Sequence, residues 1–487
     1  VRSLENIVKA YDVRGLVGPD LDAAVARALG IAFAEVVVTG ADRPAAAGEP
    51  SGGSGGRPRA VVGHDMRPSS PELSEAFADG LASRGVDVVL IGLASTDGLY
   101  YASGSLDAPG AMFTASHNPA QYNGIKLCRA GARPVSQDTG LRAVRERAEQ
   151  LLEDPATPGR TGPGARGVIT RSDLLRGYAE HLRGLVDLSA NRPLTVVVDA
   201  GNGMAGLTTP AVLGEAAGLP ALPLRVVPLY FELDGTFPNH EANPLEPANL
   251  RDLQARVREV GADLGLAFDG DADRCFVVDE HGEPVSPSAV TALVARREIV
   301  KERAAGREAT VIHNLITSRA VPEIIAETGG KSVRTRVGHS FIKAEMADVG
   351  AVFGGEHSAH YYFRDFWFAD TGMLAALHVL AALGEQDGPL SVLAADYERY
   401  VASGEVNSRV EDVEAAAARV EESFGTRSGV EVDRLDGLTV THAQPPMWWF
   451  NLRPSNTEPL LRLNAEAHDT PTMTAVRDEV LALVRRA

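Results

Sequence analysis

Lysine is nearly absent from this chain. Of its 47 basic residues only Lys9, Lys126, Lys301, Lys331 and Lys343 are lysines. Arginine serves where a fixed, always-charged fork suffices, but it cannot replace a compact ammonium with a movable proton. Lys126 and Lys343 stand inside polar motifs and are candidates for chemistry; Lys301 and Lys331 lie in ordinary stretches. Cysteine is scarce too. Cys128 and Cys275 are too far apart in sequence to suggest a disulfide framework, and a reducing cytoplasm is expected. No apolar run approaches the roughly 20 residues of a membrane span. The opening "VRSLENIVKAYDVRG" has no basic-then-apolar leader pattern. Positive charge is in deficit, with a net charge of −18, which argues against general binding to nucleic acid or anionic membrane. A cleft that gathers basic residues could still take an anionic small substrate.

What is present reads as α/β. At 487 residues three or four domains are expected, at roughly 150 residues each. After a loop, "KAYDVRG", apolar residues at helical spacing predict a helix over 21–38. The stretch 40–60, rich in Gly, Pro and Ala, reads as a surface insertion. "AVVGHDMRPSS" is a strand ending in a polar turn. A helix over 71–82 and a strand, "VDVVLIGL", complete a βαβ grammar. The grammar returns in "LTVVVDAGNGMAG" (194–206) and in "LGLAFDGDADRCFVVD" (264–279), a strand, an acidic turn and a strand. From about Tyr397 the pattern changes to helix-like stretches around "GLTVTH" and "WWFNLRPSNTEPLLRLNAEA", a smaller α+β domain. The expected divisions are 1–165, 166–262, 263–390 and 391–487, with the acidic turn in the third domain.

"DGDADR" carries the sharpest chemistry. Asp269, Asp271 and Asp273 fall on one side of an extended backbone, and three such charges need a cation. Hard oxygen donors select Mg²⁺ or Ca²⁺. An EF-hand is disfavoured because Arg274 occupies the position that needs glycine and the flanks read as strands. In "FTASHNPAQYNG" Ser116 precedes His117. A Ser-His hydrolase dyad is disfavoured there, because the next residue is poorly placed to take the serine proton and no G-x-S-x-G elbow is present. "RPSNTEPLLR" (453–462) offers arginine forks and turn donors to a phosphate monoester. "GGEHSAH" (354–360) combines a carboxylate, a hydroxyl and two imidazoles. "TRVGHSFIK" adds Gly338, His339 and Lys343.

"AYDVRG", "TASHNPAQYNGIK", "DGDADR", "GEHSAH" and "RPSNTEP", in this order and spacing, resemble the α-D-phosphohexomutases, in their bacterial phosphomannomutase/phosphoglucomutase branch. The resemblance spans nearly the whole chain. It implies three related α/β domains with mixed sheets and a C-terminal α+β domain of TATA-box-binding-protein-like fold. It implies Ser116 as the phosphoserine, with Asp269, Asp271, Asp273 and the serine phosphate holding Mg²⁺. Arg14, Lys126, His339 and His360 match residues of proton transfer or phosphate contact. Tyr11, His117, Arg274, Gly338, Lys343, Glu356, Ser358, Arg453, Ser455, Asn456, Thr457 and Arg462 match substrate-binding positions.

The implied reaction interconverts mannose 6-phosphate and mannose 1-phosphate, and glucose phosphates as well, with glucose 1,6-bisphosphate or mannose 1,6-bisphosphate as activator. The implied protein is a cytoplasmic monomer or homodimer whose partners are hexose phosphates alone. Around "HNLITSR" (313–319) this chain lacks a lysine that close relatives often carry, so the reaction class is better specified than the hexose. "GEHSAH" and "SNT" favour the mannose/glucose branch over a phosphoglucosamine mutase, in which "GEQSGH" and "SGT" are more usual. Two further readings stand beside these: a Mg²⁺-dependent serine phosphatase that releases inorganic phosphate, and a non-catalytic metal- or phosphate-binding protein that kept the fold.

Overall fold

The structure, a computed structural model, describes residues 3–40, 57–154, 166–454 and 460–486, without the side chains of His339 and Ser340. The expected insertion, the linker near 154–167 and the "SNT" turn therefore lie largely or wholly outside the described residues. Two compact units form: Val1–Pro284 with His360–Leu390, and Val285–Ala359 with Ser391–Ala487.

The first unit contains two sheets. In the first, the strands run in the order Asp12–Leu16, Tyr122–Arg129, Gly110–Phe113, Arg59–His64, Asp87–Leu93 and Ile169–Arg171, with Arg133–Pro134 paired to Tyr122–Arg129. The pairing is antiparallel about Tyr122–Arg129 and parallel elsewhere. Helices Ala23–Phe33 and Ser70–Ala82 bury their apolar faces against it. Asp22 caps the first of these by accepting from the Val25 N–H at 2.9 Å. The segment expected as one helix over 21–38 is an α-helix whose last turns widen into a π-helix, Ala34–Val38. "DVRG", expected as loop, is the strand Asp12–Leu16. Its polar sequence gave no period, and its partner Tyr122–Arg129 supplies the register, with Asp12 opposite Lys126.

The second sheet runs Leu224–Leu229, Leu194–Asp199, Leu264–Phe268 and Cys275–Val278, the last pair antiparallel. The acidic turn thus joins two strands of this sheet, and the expected division at 262/263 would cut through it. The division at 165/166 also misses the strand Ile169–Arg171, which pairs with Asp87–Leu93 in the first sheet. Neither error is visible locally, because sheet membership is decided by partners far away in sequence. A short antiparallel hairpin, Tyr361–Phe363 with Ala369–Asp370, also belongs to this unit.

In the second unit the strands Lys331–Thr335, Thr310–Asn314 and Phe353–Gly355 run parallel. The chain then builds a five-stranded antiparallel sheet in the order Val401–Arg409, Leu460–Ala467, Trp448–Pro454, Leu438–His442 and Val430–Asp433. Helices Val413–Gly425 and Thr470–Val484 cover one face around Phe424, Phe450 and Leu463. Mixed α/β layers followed by an antiparallel α+β layer are the architecture expected from the sequence. Among the described residues no helix is long and apolar enough to cross a membrane.

Candidate active site

Ser116 sits between the strands Gly110–Phe113 and Tyr122–Arg129 with φ 50°, in the left-handed region. A non-glycine residue there is held by its surroundings. The main clamp is Arg67, whose side chain is wholly buried. Its Nη2 donates to the carbonyls of Ser116 (3.0 Å) and Asn118 (2.6 Å). Its Nη1 donates to those of Pro119 (2.9 Å) and Tyr122 (3.0 Å). Asp65 anchors the other side of the guanidinium through Nε at 3.2 Å. One arginine fork therefore fixes four carbonyls of the serine loop.

The acidic loop meets Ser116 directly. Ser116 Oγ donates to Asp269 Oδ2 at 2.8 Å. Gly270 allows this approach, since a Cβ there would lie 2.4 Å from the Ser116 carbonyl oxygen. The loop is not the extended stretch expected. It is a turn, closed by the Ala272 N–H on the Asp269 carbonyl (3.0 Å), with Ala272 at φ 60°. The turn still converges Asp269, Asp271 and Asp273, each offering a buried carboxylate oxygen within 4.8 Å of the others.

Two cations partly offset them. Lys126 Nζ bridges Asp271 Oδ2 (2.6 Å) and Asp273 Oδ2 (2.5 Å), and Arg274 Nε donates to Asp269 Oδ2 (2.9 Å). Thr96 donates its hydroxyl to Asp271 Oδ2 (2.6 Å). Asp271 Oδ1 and Asp273 Oδ1 remain buried with no hydrogen-bond partner among the described residues. Three carboxylates against two cations, with two orphaned oxygens, fit a hard divalent cation.

The electrostatics follow the burial. Desolvation and the neighbouring carboxylates raise Asp269. Burial pushes Asp271 up as well, but the Lys126 ammonium, the Thr96 hydroxyl and Arg274 together outweigh it and hold that group well below the usual range. Burial lowers Lys126, and Asp271 and Asp273 more than reverse this, so it is firmly protonated.

His117 departs from expectation in one respect. Its Nδ1 lies 3.1 Å from Ser116 Oγ, within reach of the serine proton. The same Nδ1 accepts from Arg274 Nη2 at 2.7 Å. Burial, then Arg274 and Arg14, push the imidazole down to about 2. A group held neutral so strongly is a poor base. The dyad is thus unfavourable for an electrostatic reason rather than a geometric one.

Arg14 reaches this loop from the first strand, donating to Asp12 Oδ2 (2.7 Å) and Asn118 Oδ1 (2.5 Å). Tyr11 lies beside that strand. His360 presents Nε2 3.6 Å from Asp273 Oδ1, and its backbone bridges to Arg274.

The remaining predicted positions belong to the second unit. The Gly338 N–H donates to Glu356 Oε1 at 3.3 Å, and the Ser358 hydroxyl donates to Glu356 Oε2 at 2.9 Å. Gly338 precedes the helix His339–Val349, which carries Lys343, a buried side chain. Arg453 Nη2 pairs with Glu405 Oε2 at 3.0 Å, and Arg462 Nη1 lies 3.6 Å from Glu405 Oε1. Ser455, Asn456 and Thr457 lie outside the described residues. His313, from the stretch that lacks a lysine, turns inward, its Nδ1 2.8 Å from Thr317 Oγ1, and burial pushes it down to about 4.

Sequence reasoning missed Arg67, Thr96 and Glu405. "HDMRPSS" and "ASTDG" read as turns, and Glu405 as an ordinary strand charge. The only local signal was a polar turn directly after an apolar strand.

Comparison with known proteins agrees along the whole chain. Family models described as phosphoglucomutase/phosphomannomutase alpha/beta/alpha domains I, II and III match 5–153, 176–282 and 286–400, and the model of the C-terminal domain matches 405–483. A phosphomannomutase of Escherichia coli is 38% identical over 481 residues, 98% of each chain. A phosphohexose mutase of Xanthomonas campestris pv. campestris is 39% identical over 482 residues, again 98% of each. The crystal structure of a phosphoglucomutase/phosphomannomutase family protein from Burkholderia thailandensis superposes with a TM-score of 0.81 at 31% identity, covering 98% of this chain and 97% of that one. With serine loop, acidic turn and C-terminal sheet all falling inside these matches, the chain belongs to the phosphoglucomutase/phosphomannomutase family.

Proposed function

We propose that this protein is a phosphomannomutase, an isomerase that moves a phosphoryl group between O6 and O1 of mannose, with glucose phosphates as further substrates. The observation that carries the reading is the 2.8 Å contact of Ser116 Oγ with the first of three convergent carboxylates. The two sugar oxygens lie at opposite ends of the hexose, so a carrier is needed. Phosphorylated Ser116 gives its phosphoryl group to the free sugar hydroxyl, forming a 1,6-bisphosphate. Ser116 then accepts the other phosphoryl group, and the isomerised monophosphate leaves.

Asp269, Asp271 and Asp273, with the serine phosphate, would hold Mg²⁺. When bound, the ion supplies a Lewis acid that offsets charge on the phosphoryl oxygens. Phosphoryl transfer asks the protein mainly for positioning and charge. Arg67 fixes the loop that carries the nucleophile. Arg274 and Arg14 bring fixed positive charge, and neutral His117 packs against Ser116 while accepting from Arg274. Lys126, bridging Asp271 and Asp273, places a positive charge beside the group in transfer. Lys126 or His360 takes the acceptor hydroxyl's proton from this unit. Tyr11 lines the phosphate contact. From the second unit, Glu356 and Ser358 take sugar hydroxyls, and Gly338, His339 and Lys343 supply sugar or proton contacts. Arg453, Ser455, Asn456, Thr457 and Arg462 bind the phosphate that is not being transferred. Glucose or mannose 1,6-bisphosphate primes the serine. The reading assigns the protein to the cytoplasm as a monomer or homodimer, with no nucleic-acid or membrane partner.

Intact-mass measurement after incubation with glucose 1,6-bisphosphate tests the carrier. The wild type gains one phosphoryl group. Ser116→Ala gains none and loses at least about 1,000-fold in turnover. Normal turnover by that variant would sink the carrier mechanism.

A further inference from the structure

The C-terminal sheet turns a charged face away from its helices. Along Leu460–Ala467 the odd-numbered Leu461, Leu463, Ala465 and Ala467 enter the core, so Arg462 and Asn464 occupy the opposite face. On Trp448–Pro454 the core takes Trp448, Phe450 and Leu452. Arg453 is left on the polar face, directly opposite Arg462. Like charges facing across two strands are destabilising. Glu405 on the edge strand Val401–Arg409 relieves them, with one carboxylate oxygen toward each arginine.

Glu405 reaches that face only because the strand carries an extra residue. Ala402 pairs with Glu466 and Glu405 with Asn464, so three steps on one strand match two on the other. The bulge places Gly404 at φ 67°, a conformation that suits glycine. Without it the alternation would put position 404 on the polar face and turn Glu405 into the core. The bulge therefore aims one carboxylate at two guanidiniums. Arg453 Nε is buried with no hydrogen-bond partner among the described residues. His357, from the same loop as Glu356 and Ser358, feels both Glu405 and Arg453.

We propose that Glu405 is a carboxylate placeholder for the sugar-borne phosphate. It holds Arg453 and Arg462 in position between turnovers and yields them to the incoming anion. This rests on the reading above that these two arginines bind that phosphate. Because a site already occupied by an internal anion binds its ligand with a reduced apparent affinity, Glu405 weakens phosphate binding. Weaker binding speeds the release that the bisphosphate needs in order to turn over. Glu405 is a positioning residue and touches no reacting atom.

The test measures KM, kcat and the inhibition constant of inorganic phosphate on the full-length, Mg²⁺-loaded enzyme. Glu405→Gln lowers both KM for the hexose 1-phosphate and Ki for inorganic phosphate, by roughly three- to tenfold, and lowers kcat as release slows. Glu405→Asp, too short to span both guanidiniums, lies between. A purely structural role would raise KM instead. An unchanged or raised Ki in Glu405→Gln overturns the placeholder. If that variant does not fold, Glu405→Asp alone decides, and an unchanged Ki overturns the proposal. Arg453→Met separates the two readings. Weakened phosphate binding there, with no tightening in Glu405→Gln, overturns the placeholder alone. Unchanged binding in Arg453→Met overturns the phosphate site and the placeholder with it.

Discussion

A methyl group added at Gly270 would sit 2.4 Å from the carbonyl oxygen of Ser116. Backbone is a hard obstacle, so one of the two loops must move, and with it the 2.8 Å contact between Ser116 and Asp269. Displacements near 1 Å in such sites cost on the order of 100-fold in rate. Gly270→Ala is therefore expected to lose about 100-fold in kcat/KM while circular dichroism stays that of the folded wild type. Retention of full activity would show that the two loops need not touch for function. At this scale the sequence was legible where chemistry was concentrated in a few consecutive residues: "DGDADR" announces a cation, and the structure brings its three carboxylates together. The neutral state of His117 was not legible, because it depends first on burial and then on Arg274 and Arg14 closing around it. Glu405 was hidden for a similar reason. Its significance depends on a bulge, and a bulge is a relation between two strands rather than a property of one.

The serine loop is an element without regular secondary structure, held by a side chain some fifty positions away in sequence. Arg67 supplies donors to four of its carbonyls and to Asp65. Lysine has three donors and no fork, so Arg67→Lys removes the hydrogen bond from at least two of these five acceptors, at about 0.5–1.5 kcal/mol each. The expected result is a folded protein with a lowered melting temperature and kcat down by about 10- to 100-fold, because Ser116, the proposed nucleophile, is no longer held. Thermal unfolding and steady-state kinetics on the same preparation check this, and wild-type kcat would remove Arg67 from the account. Long apolar strands such as Leu194–Asp199 and Leu264–Phe268 were readable from their own residues. "DVRG" was not, because only its pairing with Tyr122–Arg129 makes a strand of so polar a sequence. "HDMRPSS" looked like a turn and is one; its arginine acquires meaning only from the loop it clamps.

At the scale of the whole molecule, the order of motifs along the chain was enough to reach the family, while the boundaries between layers were not. The acidic turn belongs to the second sheet because Leu264–Phe268 pairs with Leu194–Asp199, and no local feature at 262/263 records that choice. The proposed function depends on this assembly. The serine lies in the first sheet's loop and the acidic triad in the second sheet's turn, so neither sheet alone carries the site. A surplus of negative charge over the whole chain coexists with arginines gathered at specific points, Arg67, Arg274 and Arg14 around the serine and Arg453 with Arg462 on the C-terminal sheet. The central claim is that phosphate leaves Ser116 for a sugar and returns from it. The most direct measurement is ³¹P NMR of the enzyme with Mg²⁺, a trace of glucose 1,6-bisphosphate and mannose 1-phosphate, repeated with excess EDTA. The account predicts a growing mannose 6-phosphate signal without inorganic phosphate, abolished by the chelator. Inorganic phosphate appearing in place of the 6-phosphate would contradict it, since Ser116 would then be passing its phosphate to water.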